Sequence, residues 1–118
     1  MTGLEDLTDR LRRFAQDRDW ERFHTPKNLA MALAGEVGEL LAELQWLTPE
    51  EAATVMDDEA AAKRLRSEMA DVMTYLVRLA DVLEVDLVEA THAKIDENDE
   101  RFPVKTSRGS ARKAPPLV

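Results

Sequence analysis

Two pairs of carboxylates stand out in this sequence by their spacing. Glu36 and Glu39 lie three residues apart in AGEVGELLAE, with Glu43 four further on, and Glu68 and Asp71 lie three apart in RSEMADVMTY. Side chains three or four residues apart share one face of a helix, so each pair would project in a common direction. At about 100° per residue, Glu36 and Glu43 border a stripe of Leu33, Leu40 and Leu47. Glu68 borders Leu65, Val72 and Leu76, with Asp71 and Tyr75 further round the same side. If the two stripes pack together, the acidic pairs meet at the edge of the helix interface. Carboxylates gathered in this way repel one another, raise their pKa values and weaken the fold unless a cation lies among them. Oxygen ligands without histidine or cysteine select Mg2+ or Mn2+, ions that commonly hold substrate phosphates as well. The alternative is that these residues form two solvated helix faces. Gly35 and Gly38 flank the first pair. Inside a helix each costs about 1 kcal/mol relative to alanine, a cost that close approach of a neighbour or ligand would offset.

The elements that must position these groups are helices. Glycine is scarce, alternating β-branched runs are absent, and Ala, Leu, Glu and Arg dominate. The first helix is expected from Leu4 to Arg18, on the spacing of Leu4, Leu7, Leu11 and Phe14, followed by a structured connection DWERFHT. The second starts at Thr25 as N-cap with Pro26 in its first turn, and its stripe of Leu29, Leu33, Val37, Leu40, Leu44 and Leu47 carries it to Leu47. Thr48-Pro49-Glu50-Glu51 reads as a capping box opening a short helix through Met56. The third long helix is expected from Glu59 to Leu83, with Leu65, Met69, Val72, Leu76, Leu79 and Leu83 on its apolar side. Asp86, with Glu89 three residues later, caps a last helix to Arg101, where Pro103 ends the pattern.

Composition narrows the class. A chain of 118 residues with 44% hydrophobic residues fits one globular domain, and the absence of cysteine excludes disulfides, thiolate metal sites and a cysteine nucleophile. Charges interrupt every apolar stretch, so no membrane span is expected. The opening MTGLEDLTDR lacks the basic-then-apolar order of a secretory signal, which makes a cytoplasmic protein the expectation. The net charge of −8 is uneven: residues 1–104 carry −12 and residues 105–118 carry +4. So acidic a body repels phosphates and is not a general nucleic-acid binder. The expected organisation is a domain over 1–104 and a flexible basic tail over 105–118.

The motif Glu36-x-x-Glu39, a spacer of 28 residues, then Glu68-x-x-Asp71 resembles that of the all-α, MazG-like nucleoside triphosphate pyrophosphohydrolases. With RDWERFHTPKNLAMALAGEVGELLAELQW, EMADVMTYLVRLADVLEVDL and KIDENDERFP, the chain looks most like the dCTP pyrophosphatase branch of that superfamily. The resemblance implies an all-α fold of the four-helix-bundle type, assembled as a dimer or a dimer of dimers. It implies cleavage of dCTP, or of modified or non-canonical dNTPs, between the α- and β-phosphorus to give a monophosphate and pyrophosphate. Glu36, Glu39, Glu68 and Asp71 would hold Mg2+ (or Mn2+). Glu39, Glu36 and Lys94 form the implied catalytic set, with Glu39 the candidate to take the attacking water's proton.

The remaining assignments are also carried by the resemblance. Lys94 and Asn98 would face the triphosphate, with Arg101 and Lys27 as helpers. Lys94, Asn98 and Arg101 follow i, i+4, i+7 spacing, which by itself suits an ordinary wet edge. Trp20, His24 and Trp46 would surround the nucleobase, joined by Asn28, although two tryptophans in a small chain also suit a core or an interface. Tyr75 would pack on the deoxyribose, while His92 lies on the far side of the last helix. Two other readings of the chain are a broad-specificity pyrophosphohydrolase of the same family and a non-catalytic helical interaction module.

Overall fold

The computed structural model describes residues 3–113, which contain helices and turns and no strand. Six α-helices follow in order: α1 Leu4–Asp17, α2 Pro26–Leu44, α3 Pro49–Ala53, α4 Glu59–Val82, α5 Leu87–Arg101 and α6 Val104–Ser107. The chain divides between Glu84 and Val85 into two compact units.

In the first unit, α2 and α1 both pack on α4. Short-range chemistry sets the ends of these helices. The Thr25 hydroxyl accepts from the Asn28 N–H, with Pro26 in the first turn. Thr48 and Glu51 form the reciprocal capping box that opens α3. One Asp58 oxygen accepts from the N–H groups of Ala60 and Ala61 to open α4. The end of α1 is a Schellman closure. Asp19 takes a left-handed φ of 54°, and the Trp20 N–H returns to the Ala15 carbonyl at 2.9 Å. The accompanying apolar contact is Phe14 against Trp20, edge to face with centroids 5.8 Å apart. This closure aims the chain from Trp20 through a 3-10 turn, Glu21–Phe23, to His24.

Several expectations change in the folded chain. The second helix ends at Leu44 rather than Leu47, and α3 stops at Ala53 before a separate 3-10 turn, Val55–Asp57. Among the described residues the buried apolar ones are Ala15, Leu29, Ala62, Leu65, Val77 and Ala80, whereas Val37, Met69, Leu76 and Leu83 of the expected stripes are exposed. The physical reason is coverage: periodicity marks which face is apolar without fixing what packs on it. Nor does a neighbour approach the helical glycines, since a Cβ added at Gly35 or Gly38 meets no atom within 4 Å. Gly38→Ala should therefore raise the unfolding free energy of the ligand-free chain by about 1 kcal/mol, read from urea denaturation. A loss of stability would mean that something does approach that face.

The second unit carries α5 and α6. Asp86 accepts from the Glu89 N–H to cap α5 as expected. Past Pro103 the helical turn α6 forms inside the segment expected to be tail. Residues 114–118 of that segment lie outside the described residues.

Candidate functional site

Glu36 and Glu39 on α2 and Glu68 on α4 each offer a carboxylate oxygen, and these atoms all lie within 4.8 Å of one another. The packing of α2 on α4 creates this cluster, because the three-residue repeat turns each carboxylate toward the other helix. Glu36 and Glu68 are half-buried and Glu39 is exposed. One oxygen of Glu36 and one of Glu68 are shut away from solvent without a hydrogen-bond partner. An anionic oxygen buried in that state is costly unless a cation or proton meets it. Burial pushes the Glu36 carboxyl above its ordinary pKa, reinforced by the charges of Glu39 and Asp71. Glu68 is pushed up likewise, by burial first and then by its contact with Glu39 and by the charges of Glu39, Asp71 and Glu43. Asp71 thus lies outside the close triplet yet acts on two of its members. The donor set and the orphaned oxygens fit a hard divalent cation.

Around the cluster, Glu43 is taken up by Arg64, whose Nε donates to Oε2 at 3.1 Å across α2 and α4. Trp46 projects beyond α2 with 86% of its surface exposed. Trp20 is half exposed and meets His24 edge to face, with ring centroids 6.5 Å apart. Tyr75 is half-buried on α4, and Lys27 is exposed in the first turn of α2. Asn28 is committed locally: its side-chain amide donates to the Phe23 carbonyl at 3.0 Å, which ties the 3-10 turn to α2. In the second unit, α5 carries Lys94, paired with Glu97 at 3.1 Å, and the half-buried Asn98. The Arg101 guanidinium lies 5.3 Å from the Phe102 ring centroid. His92 is exposed on the same helix.

Sequence reasoning missed a polar network in the first unit. Arg12 on α1 grips Asp81 on α4 through both carboxylate oxygens, at 3.0 and 2.6 Å. Arg78, buried on α4, donates to Asp81 at 2.9 Å and to Nδ1 of His24 at 3.3 Å. Its signal in the sequence is slight, an arginine inside the apolar run YLVRLA with an aspartate three residues on.

Comparison with known proteins places these observations in a family. The MazG-like family model matches residues 32–116, which include all four motif carboxylates. The chain belongs to the MazG-like family. Its fold is the all-α MazG-like one. Among relatives of this MazG-like chain, dCTP pyrophosphatase 1 from Bos taurus is 46% identical over 110 residues and the Homo sapiens protein is 44% identical over 110 residues. Each alignment takes in 93% of this chain and 65% of the relative, so the chain spans about two-thirds of the length of the curated relatives it matches. The crystal structure of a pyrophosphatase from Archaeoglobus fulgidus superposes with a TM-score of 0.81 and 38% identity, covering 87% of this MazG-like chain and 94% of that one. Among the described residues, no helix is long and apolar enough to cross a membrane.

Proposed function

We propose that this MazG-like chain is a Mg2+-dependent nucleoside triphosphate pyrophosphohydrolase that converts dCTP, or modified and non-canonical dNTPs, to the monophosphate and pyrophosphate. The observation that carries this reading is the pair of orphaned, buried oxygens on Glu36 and Glu68 within a three-carboxylate cluster. Such a cluster suits a metal-borne polyphosphate, and relatives named dCTP pyrophosphatase support both bond and base. Glu36, Glu39, Glu68 and Asp71 are assigned to hold the ion. Bound there, Mg2+ would neutralise triphosphate charge and polarise the α-phosphate.

The chain's own groups supply the rest. Glu39, the exposed member of the triplet, is assigned to take the proton from the attacking water. Trp20 and Trp46 offer flat faces for the base, and Tyr75 packs on the sugar. The assignments of Lys94, Asn98 and Arg101 to the phosphates, and of Lys27 as a helper, rest on the family resemblance. So does a homodimeric or homotetrameric form, whose association the exposed Val37, Met69 and Leu76 favour, and so does a cytoplasmic setting without nucleic-acid or membrane partners. In this reading residues 1–104 form the domain and 105–118 a basic tail.

The deciding experiment incubates the purified chain with each dNTP and Mg2+ and assays pyrophosphate against orthophosphate. Pyrophosphate release, highest with dCTP or a modified dCTP, is the expected result. Orthophosphate alone would exclude α–β cleavage, and no turnover of any nucleotide would favour a helical interaction module. Trp46→Ala should raise KM by a factor equivalent to about 1–3 kcal/mol of lost stacking. Because Trp46 is 86% exposed, its melting temperature should barely change. A lowered melting temperature with unaltered KM would assign the residue to packing instead.

A further inference from the structure

The network on α1 and α4 ends on His24, which the family resemblance assigns to the surroundings of the base. Arg78 is 5% exposed, and its guanidinium has two partners, the Asp81 carboxylate and the His24 ring nitrogen. A guanidinium has only donors, so the imidazole nitrogen facing it must offer a lone pair. That leaves the proton of a neutral ring on the other nitrogen, Nε2. Arg78 itself has little freedom, since Asp81 is also held by both Arg12 contacts. The imidazole is therefore set by a relay of fixed groups reaching back to α1.

We propose that Arg78, anchored by Asp81 and Arg12, is the positioning residue that holds His24 as a neutral Nε2–H donor toward an acceptor atom on the substrate's base. The inference rests on the proposed nucleotide function for its ligand and on the geometry for its proton. The Trp20 ring lies edge to face with the imidazole, bounding the same corner. Glu21 from the 3-10 turn and Arg78 from α4 act electrostatically on His24, and Asp81 lies behind Arg78. Burial, and then the Arg78 charge, lower the His24 pKa below 6.5 against the opposing pull of Glu21. This keeps the ring neutral near physiological pH. A neutral ring held in one tautomer loses no proton ambiguity on binding, and a base-edge acceptor meets a donor already in place.

The test uses Arg78→Met, which fills the volume of the arginine stem without a donor, and Arg78→Lys, which restores a donor-only cation. Long-range 1H–15N spectra of the full chain, with the His92 signals assigned through His92→Gln, report the tautomer and pKa of His24. Wild type should show only the Nε2–H form. Arg78→Met should show mixed tautomers and a pKa moved up toward 6.5. Its KM for dCTP should rise roughly fivefold to tenfold while kcat stays within about twofold, the loss of one oriented hydrogen bond. Arg78→Lys should recover much of both readouts. A lowered melting temperature in Arg78→Met with wild-type His24 spectra and wild-type KM would overturn the proposal and leave Arg78 as a structural pair. The spectra require no turnover, so an inactive chain with a locked His24 would overturn the nucleotide reading while the positioning of the ring stands.

Discussion

Glu36→Gln should reduce pyrophosphate release by at least about a hundredfold while making the metal-free protein more resistant to heat. The two effects have one cause. Removing a charged group from the proposed metal site would weaken both ion binding and the stabilisation of charge on the reacting phosphate, where single groups commonly contribute factors of a hundred or more. In the absence of a cation the same carboxylate is held above its ordinary pKa by burial and by Glu39 and Asp71, so the fold works against its ionisation. Glutamine keeps the shape and discards the charge. Melting in EDTA should therefore be higher for the variant, and saturating Mg2+ should stabilise the wild type more. Ligand linkage sets the scale: an ion at a hundred times its Kd contributes about 2.7 kcal/mol. Wild-type activity in Glu36→Gln would remove the residue from the metal site, and a melting temperature below wild type in EDTA would mean that its carboxylate supports the fold.

The second large effect is expected away from the cluster. Asp81 receives both Arg12 contacts and the buried Arg78, so Asp81→Asn leaves an arginine that is 5% exposed without a counter-charge. Breaking a buried pair from one side costs about 3 kcal/mol, which urea denaturation at neutral pH should show. The pH dependence has a definite sign. The Asp81 pKa is lowered below 3.8, first by the hydrogen bond from Arg12 and, against the cost of burial, by the charges of Arg12 and Arg78. Its stabilisation is accordingly complete above that ordinary value and is lost as pH falls through the lower, folded one. The wild type and Asp81→Asn should converge in stability in strong acid and diverge as pH rises. A constant gap down to pH 2 would show that the asparagine disturbs packing rather than charge.

The helices of this chain were largely legible because their signals are local. Thr25-Pro26, the Thr48–Glu51 box, Asp58 and Asp86 each cap a helix through a neighbour no more than three residues away. The carboxylate cluster was legible for a related reason: the three-residue repeat specifies a face, and two such faces beside apolar stripes imply a meeting. The Arg12–Asp81–Arg78–His24 network was not, since its bridging bonds span 69 and 54 positions and no period links them. The exposure of Val37 and Met69 was equally hidden, because a stripe declares itself apolar without declaring what covers it. Asn28 shows the limit at the scale of one side chain. Its place one turn beyond His24 suggested a ligand contact, and nothing local announced that one N–H of its amide donates to the Phe23 carbonyl.

The orphaned oxygens of Glu36 and Glu68 carry one further consequence, for thermodynamics rather than geometry. Because both carboxyls hold their protons more tightly than ordinary glutamates, a cation entering the cluster competes with hydrogen ions for these oxygens. Uptake of metal is then an exchange reaction, its apparent affinity rising with pH and its measured heat depending on the buffer that absorbs the protons. Acidification and metal starvation would act on this carboxylate cluster as one signal.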